Sequence, residues 1–290
     1  MVSYNSWFTE NTNGKVKINS LVIYRDLSSE IVEKLDNNLS VDEILKWIIN
    51  KTKEGFITKY ANPPQVGALN NAAGRWNEFI ATSLLSEIVF NMNQETEACI
   101  AVFSLPNSQL QREGADEVSS KFISLFSNNE FDAGRVLAKI APFKNQIFLP
   151  SPDYLIVVLG DSGITTSVQP LLEQQAKAPD SLALYNLFKG KLQAEEVKAV
   201  ISLKTSNRPD RRYQPLFEAA MIKAMGYVLQ QSWRYYMVVT ELSEADRTIF
   251  NTAVAPHGIA LEQNFKLVDG TYLYTRKEDL VPLVKAAIEQ

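Results

Sequence analysis

Cysteine and histidine are each present once in 290 residues, and these two shortages remove more chemistry than any other feature of the chain. A single cysteine, Cys99, excludes an internal disulfide and a cysteine-based zinc cage. Its setting, Ala98-Cys-Ile-Ala-Val-Phe103, reads as a buried strand in which the thiol packs as a small hydrophobe. The only histidine, His257, sits in Ala255-Pro-His-Gly258 and reads as a turn residue, so imidazole-based hydrolysis has little to work with. Long apolar runs are missing as well. The longest, Tyr154 to Leu159, is far too short to cross a bilayer, and Met1 to Asp26 lacks the apolar core of a signal peptide. A cytoplasmic protein with no membrane partner is the expectation.

No repeat, low-complexity segment or Gly/Pro/Ser-rich linker divides the chain. Hydrophobic residues make up 46% and charged residues 21%, the balance of an ordinary globular protein long enough to bury a sizeable core. The net charge of −4 argues mildly against a protein that coats nucleic acid. It leaves room for a local positive groove, and acids gathered round a metal would themselves lower the total.

What is present is an alternation of helical and strand patterns. Val41 to Lys51, after the cap Ser40, and Gly74 to Asn91, with Trp76, Ile80, Leu84 and Ile88 every fourth residue, have helical spacing. Glu78 falls away from the second stripe, and a loop with Pro63, Pro64 and Gly67 lies between the two helices. Short apolar runs at Ala98 to Phe103, Asp153 to Leu159, Val197 to Leu203 and Tyr235 to Thr240 read as buried strands. Helical stretches at about Asp116 to Phe126, Val168 to Ala176, Ser181 to Lys191 and Pro215 to Gln230 separate them. The pattern predicts an α/β fold, a mixed central sheet flanked by helices. It predicts a single catalytic domain over 1–290, with a helical N-terminal part of about 1–65 packed on a core of about 66–290.

Two strand ends carry the chemistry. Asp153 opens one strand after Pro152, and Lys204 closes another before a polar loop, so the two can meet at one edge of the sheet. Many Mg²⁺-dependent nucleases place an acid two residues before such a lysine, because alternate strand residues share a face. Here that position is Ser202. Glu218 offers a substitute carboxylate, on a helix whose Phe217, Met221, Met225 and Val228 are expected to face the core. In Arg208-Pro-Asp-Arg-Arg212, arginine suits the O6 and N7 of guanine and aspartate suits the N4 of cytosine, while Pro209 stiffens the loop. Each piece also has an ordinary reading: a turn aspartate, a solvated helix glutamate, a charged surface loop.

Taken together, the pieces resemble type II restriction endonucleases of the CCGG-recognising group, within the PD-(D/E)XK nuclease superfamily. The resemblance rests on Pro152-Asp153, on Ser202-Leu-Lys-Thr-Ser206 with Arg208-Pro-Asp-Arg-Arg212 just after, on Glu218, and on Gly74-Arg-Trp-Asn-Glu78. Leu105-Pro-Asn107 is a weaker match, and the whole spans about residues 66 to 235. It implies a restriction-endonuclease-like core in which Asp153 and Glu218 bind Mg²⁺ and Lys204 contacts the scissile phosphate or the attacking water. Ser202 then stands in the vacated acid position, and Glu78 is a metal-associated or supporting carboxylate. Arg208, Asp210 and Arg211 would read the C·G pairs, with Arg212 a phosphate or structural contact.

The same resemblance implies double-stranded DNA as partner and a homodimer or dimer of dimers, since a palindrome demands two-fold symmetry. It implies cleavage before the first C of CCGG to leave four-base 5′ overhangs, and a cognate DNA methyltransferase in the host. Two departures stand out. Ser232 occupies the place where relatives carry an arginine for the outer base pair, which makes Ser232 and the nearby Arg234 candidates for outer-base or backbone contacts. Ser104 replaces a lysine before the Pro-Asn motif. Ser202 also motivates a rival reading, a catalytically silent DNA-binding protein, and the shared chemistry motivates another, a structure-directed repair nuclease.

Overall fold

The N-terminal helices form as their apolar spacing predicts, and they are longer than expected. The computed structural model describes residues 4–12, 14–106, 121–147, 152–160, 163–204 and 213–289. The first of its two compact units takes in the described residues up to Ala81 together with Tyr274–Lys277; the second takes in Thr82–Leu273 and the residues from Glu278 on. In the first unit, β1 (Phe8–Glu10) and β2 (Val16–Ile18) make an antiparallel hairpin ahead of α1 (Ser20–Asp36), α2 (Val41–Tyr60) and the start of α3 (Val66–Glu95). Ser40 caps α2 in a reciprocal box with Glu43: the Glu43 amide donates to Ser40 Oγ at 3.3 Å and the Ser40 amide to Glu43 Oε2 at 2.8 Å. Trp76 and Ile80 are fully buried in α3, as the fourfold spacing requires, and Gly67 lies inside that helix instead of in a loop. The hairpin was not expected, because three-residue strands show too little alternation to read.

In the second unit, β3 (Cys99–Ser104), β4 (Tyr154–Leu159), β5 (Val197–Lys204), β6 (Arg234–Val239) and β7 (Gly270–Leu273) form one sheet in that order. The first three pair antiparallel; β5–β6 and β6–β7 pair parallel. The middle strands are buried on both faces, which is why they read as unbroken apolar runs and not as alternating ones. Helices α4 (Thr165–Lys177) and α5 (Ala183–Phe188) pack on β3, and α6 (Tyr213–Leu229) packs on β6. Further on, α7 (Glu244–Thr252) packs on β7 and α9 (Val281–Ile288) on β4 and β5, while the short α8 (Pro256–Ala260) holds His257 in a helix where a turn was expected.

This is the mixed sheet flanked by helices that the sequence predicts, with strand boundaries shifted by one residue. The four-residue β7 was missed. Of the helix expected over Asp116 to Phe126, residues 116–120 lie outside the described residues, and Ile123–Leu125 is a single 3₁₀ turn. There Phe126 stacks on the buried Trp233 with ring centroids 5.7 Å apart. Cys99 is half-buried, and burial pushes its thiol pKa up, which disfavours the reactive thiolate.

Helix α6 corrects one expectation. Met225 is buried, but Phe217 and Val228 are 47% and 41% exposed, and the buried residues are Pro215, Glu218, Ala219, Ile222, Met225, Gly226 and Leu229. The helix is apolar nearly all round, so spacing alone does not choose its inner face. At its end a Cβ on Gly226 would come 2.9 Å from the Gln231 carbonyl, where the Gln231 amide closes the turn on the Gly226 carbonyl at 2.8 Å. That close approach sends the chain directly into β6.

Candidate active site

The register of the sheet places Asp153. Tyr154, at the start of β4, pairs with Ile201 of β5, and the Asp153 amide donates to the Ile201 carbonyl at 3.0 Å. Two residues further along β5, the Leu203 amide has run past the end of β4 and needs an acceptor. The Asp153 carboxylate supplies it: Oδ2 accepts the Leu203 N–H at 2.6 Å. The same oxygen lies 3.2 Å from Lys204 Nζ and 3.4 Å from Ser202 Oγ, the latter long for a hydroxyl hydrogen bond. Both side chains of the Asp153–Lys204 pair are largely buried, at 19% and 17% exposure. The predicted meeting of Asp153 and Lys204 at one sheet edge is therefore present in the structure.

Glu218 is fully buried on the inner face of α6. Its Oε2 accepts the Tyr235 hydroxyl at 2.9 Å, and its Oε1 accepts the Gln214 side-chain amide, one helical turn earlier, at 3.2 Å. Loss of hydration pushes the Glu218 pKa up to about 7; the Lys204 charge pulls it down, and the Asp153 charge adds to the rise. Asp153, Lys204 and Glu218 thus act on one another electrostatically, although α6 and the β4–β5 edge are separate in sequence. Burial, and then Glu218, push the Tyr235 pKa up, while the fully buried Ser202 hydroxyl beside the phenol oxygen pulls it down. Sequence reasoning missed Tyr235 and Gln214. Gln214 was visible as a polar neighbour four residues before Glu218; Tyr235 gave only the sign of a polar tip in an otherwise apolar strand.

Other predicted residues are placed as follows. Glu78 belongs to the first unit, on α3, where its Oε2 pairs with Arg75 Nη1 at 2.6 Å. Arg208, Asp210, Arg211 and Arg212 lie outside the described residues, as does Asn107. Ser232 lines a cavity of about 390 Å³ with Lys223, Tyr227, Arg234, His257 and Lys266. Arg234 is turned into the fold: Nη1 donates to the Ala286 carbonyl near the end of α9 at 2.8 Å and to the Tyr236 hydroxyl at 3.2 Å. A cation on the last carbonyls of a helix is a stabilising contact of the fold.

Among the described residues no three His, Cys, Asp or Glu side chains gather round one point. Two carboxylates, Asp153 and Glu218, lie within electrostatic reach of each other and of Lys204. Asp153 Oδ1 accepts no hydrogen bond among the described residues, since Oδ2 takes all three contacts. Two hard oxygen donors fit Mg²⁺, which commonly takes one or two carboxylates and fills its other positions with water and phosphate oxygen. No helix among the described residues is long and apolar enough to cross a membrane.

Comparison with known proteins fits this architecture. The type II restriction enzyme Cfr10I of Citrobacter freundii is 27% identical over 208 residues, covering 67% of this chain and 68% of that one. The crystal structure of the type IIF restriction endonuclease Bse634I with cognate DNA superposes with a TM-score of 0.73 at 21% identity, over 99% of this chain and 100% of that one. A second Bse634I structure gives 0.71 at 19% identity, with both chains covered in full. At such identities the solved structures establish the fold alone. The Cfr10I/Bse634I restriction endonuclease family model, however, matches residues 3–290, and with so nearly the whole length accounted for, the chain belongs to that family of type II restriction endonucleases.

Proposed function

We propose that this protein is a sequence-specific, Mg²⁺-dependent endonuclease that hydrolyses both strands of double-stranded DNA at a palindrome with a CCGG core. Cleavage falls before the first C and leaves four-base 5′ overhangs. One observation carries the reading: Asp153 and Lys204 meet at 3.2 Å on a strand end, in the field of the buried Glu218. Asp153 and Glu218 would hold the metal, with Glu78 a supporting carboxylate by resemblance alone. Bound there, the ion supplies an activated water and neutralises charge growing on the phosphate oxygens.

The chain's own groups do the rest. The Leu203 amide fixes the Asp153 carboxylate in rotation. Lys204, oriented by Asp153, offers its ammonium to the scissile phosphate or the attacking water. Ser202 keeps the lysine's neighbourhood free of a further acid, so Glu218 supplies the second carboxylate from α6. Arg208, Asp210 and Arg211 read the C·G pairs and Arg212 makes a phosphate or structural contact. A palindromic target calls for a homodimer or a dimer of dimers, and a cognate methyltransferase protects the host's own sites.

The test is a digest of unmethylated DNA carrying several CCGG sites, with Mg²⁺ and with EDTA, followed by sequencing of the ends. Discrete Mg²⁺-dependent fragments beginning at the first C are expected. Lys204→Ala and Asp153→Ala should give none, while still binding the same DNA in Ca²⁺. Specific binding in Ca²⁺ with no cleavage by the unaltered chain overturns the reading in favour of a silent DNA-binding protein. Cleavage dictated by ends or flaps favours a repair nuclease.

A further inference from the structure

Tyr235 is fully buried in β6, yet it touches the candidate site from two sides. Its hydroxyl donates to Glu218 Oε2 at 2.9 Å, and the buried Ser202 hydroxyl is a hydrogen-bonding neighbour of the same phenol oxygen. Its backbone is held as firmly: the Tyr235 amide donates to Asp269 Oδ2 at 2.7 Å, and Asp269 Oδ1 accepts Lys223 Nζ, from α6, at 2.7 Å. One acid thus ties β6 to the helix that carries Glu218. The other partner of Glu218, Gln214, is an exposed side chain on that same helix.

A glutamate carboxylate turns broadly about its last torsion, and ordering it costs conformational entropy. A buried hydroxyl donor stops that rotation without cancelling the negative charge, as a lysine or arginine in its place would. We infer that Tyr235 is a positioning residue for the metal site: it locks the Glu218 carboxylate through Oε2 and leaves Oε1, with its exposed and exchangeable partner, as the oxygen offered to a divalent cation. The inference rests on the assignment of Asp153 and Glu218 as metal ligands. A purely structural tyrosine would satisfy its hydroxyl on Glu218 and have no bearing on cation affinity.

The experiment measures Mn²⁺ binding to the full chain by electron paramagnetic resonance for the unaltered protein, Tyr235→Phe, Glu218→Gln and the double variant. The Mg²⁺ concentration for half-maximal cutting is a second readout for the first two. Tyr235→Phe should raise the half-saturating Mn²⁺ and Mg²⁺ concentrations about three- to tenfold while DNA affinity in Ca²⁺ stays unchanged. On the Glu218→Gln background it should change Mn²⁺ binding no further. Unaltered Mn²⁺ affinity in Tyr235→Phe, or a loss that adds in full to that of Glu218→Gln, overturns the inference. If Glu218→Gln itself binds Mn²⁺ as well as the unaltered chain, the metal-ligand assignment falls, and the inference with it. Should Tyr235→Phe fold poorly, Gln214→Ala decides: Mn²⁺ affinity within twofold of the unaltered chain supports Tyr235 as the lock, and a larger loss transfers that role to Gln214.

Discussion

Replacing Glu218 by glutamine in the metal-free chain should stabilise the protein markedly more at pH 8 than at pH 5. In the folded state Glu218 loses its proton near pH 7, against an ordinary value of 4.5. The folded state therefore binds this proton more tightly than the unfolded chain. The stability the group contributes is complete below about pH 4.5 and is lost as the pH rises through about 7. At about 1.4 kcal/mol per pH unit, the gap between the two values is worth about 3 kcal/mol once the pH is above both. About 1 kcal/mol of that is already lost at pH 5, so the mutational effect should grow by about 2 kcal/mol between pH 5 and pH 8. Glutamine keeps the size and one acceptor oxygen but has no charge to strand. Urea unfolding with EDTA present, followed by circular dichroism at the two pH values, reads the difference directly. A mutational effect that stays the same at both pH values, within about 0.5 kcal/mol, refutes the argument that desolvation burdens Glu218.

Two further outcomes are expected. Gly226→Ala should lower the unfolding midpoint by an amount equivalent to about 1–3 kcal/mol, because the new Cβ meets the Gln231 carbonyl at 2.9 Å and backbone must shift; an unchanged urea midpoint counts against the close approach. Arg208→Ala and Asp210→Ala should each reduce discrimination at one inner base pair by about 1–3 kcal/mol, measured as relative affinity in Ca²⁺ for CCGG and for singly altered duplexes, and unchanged preference removes them from the reading surface.

How much of this was legible depended on how loudly each element speaks. The strand that follows Asp153 and the strand that ends in Lys204 are apolar runs buried on both faces, so their ends, and the chance that the two residues meet, were readable. The anchoring of Asp153 on the Leu203 amide was not, because it follows from where β4 stops against β5, a matter of register. In α6 the expected apolar stripe through Phe217 and Val228 is in part solvent-facing, and the one acid predicted beside it is fully buried. A helix apolar on every side hides its orientation, whereas α2, with its cap box and polar face, declares it. Hairpin β1–β2 and strand β7 are three or four residues each, below the length at which period-two alternation can be told from chance. Tyr235 was hidden for a different reason: its hydroxyl gains a partner only when β6 and α6 come together.

The way Asp153 is secured bears on mutational tolerance. Its shortest contact is with a main-chain amide that every residue except proline supplies, so exchange of the side chain at position 203 leaves the donor in place. Neighbouring position 202 is likewise released from anchoring the acid, since its hydroxyl sits at the long distance of 3.4 Å. If Asp153, Lys204 and Glu218 carry the proposed chemistry, a search pattern that insists on an acid two residues before the lysine will pass over chains built like this one. A better pattern asks for an aspartate immediately before one strand, a lysine at the end of its antiparallel neighbour, and a glutamate in the helix that follows.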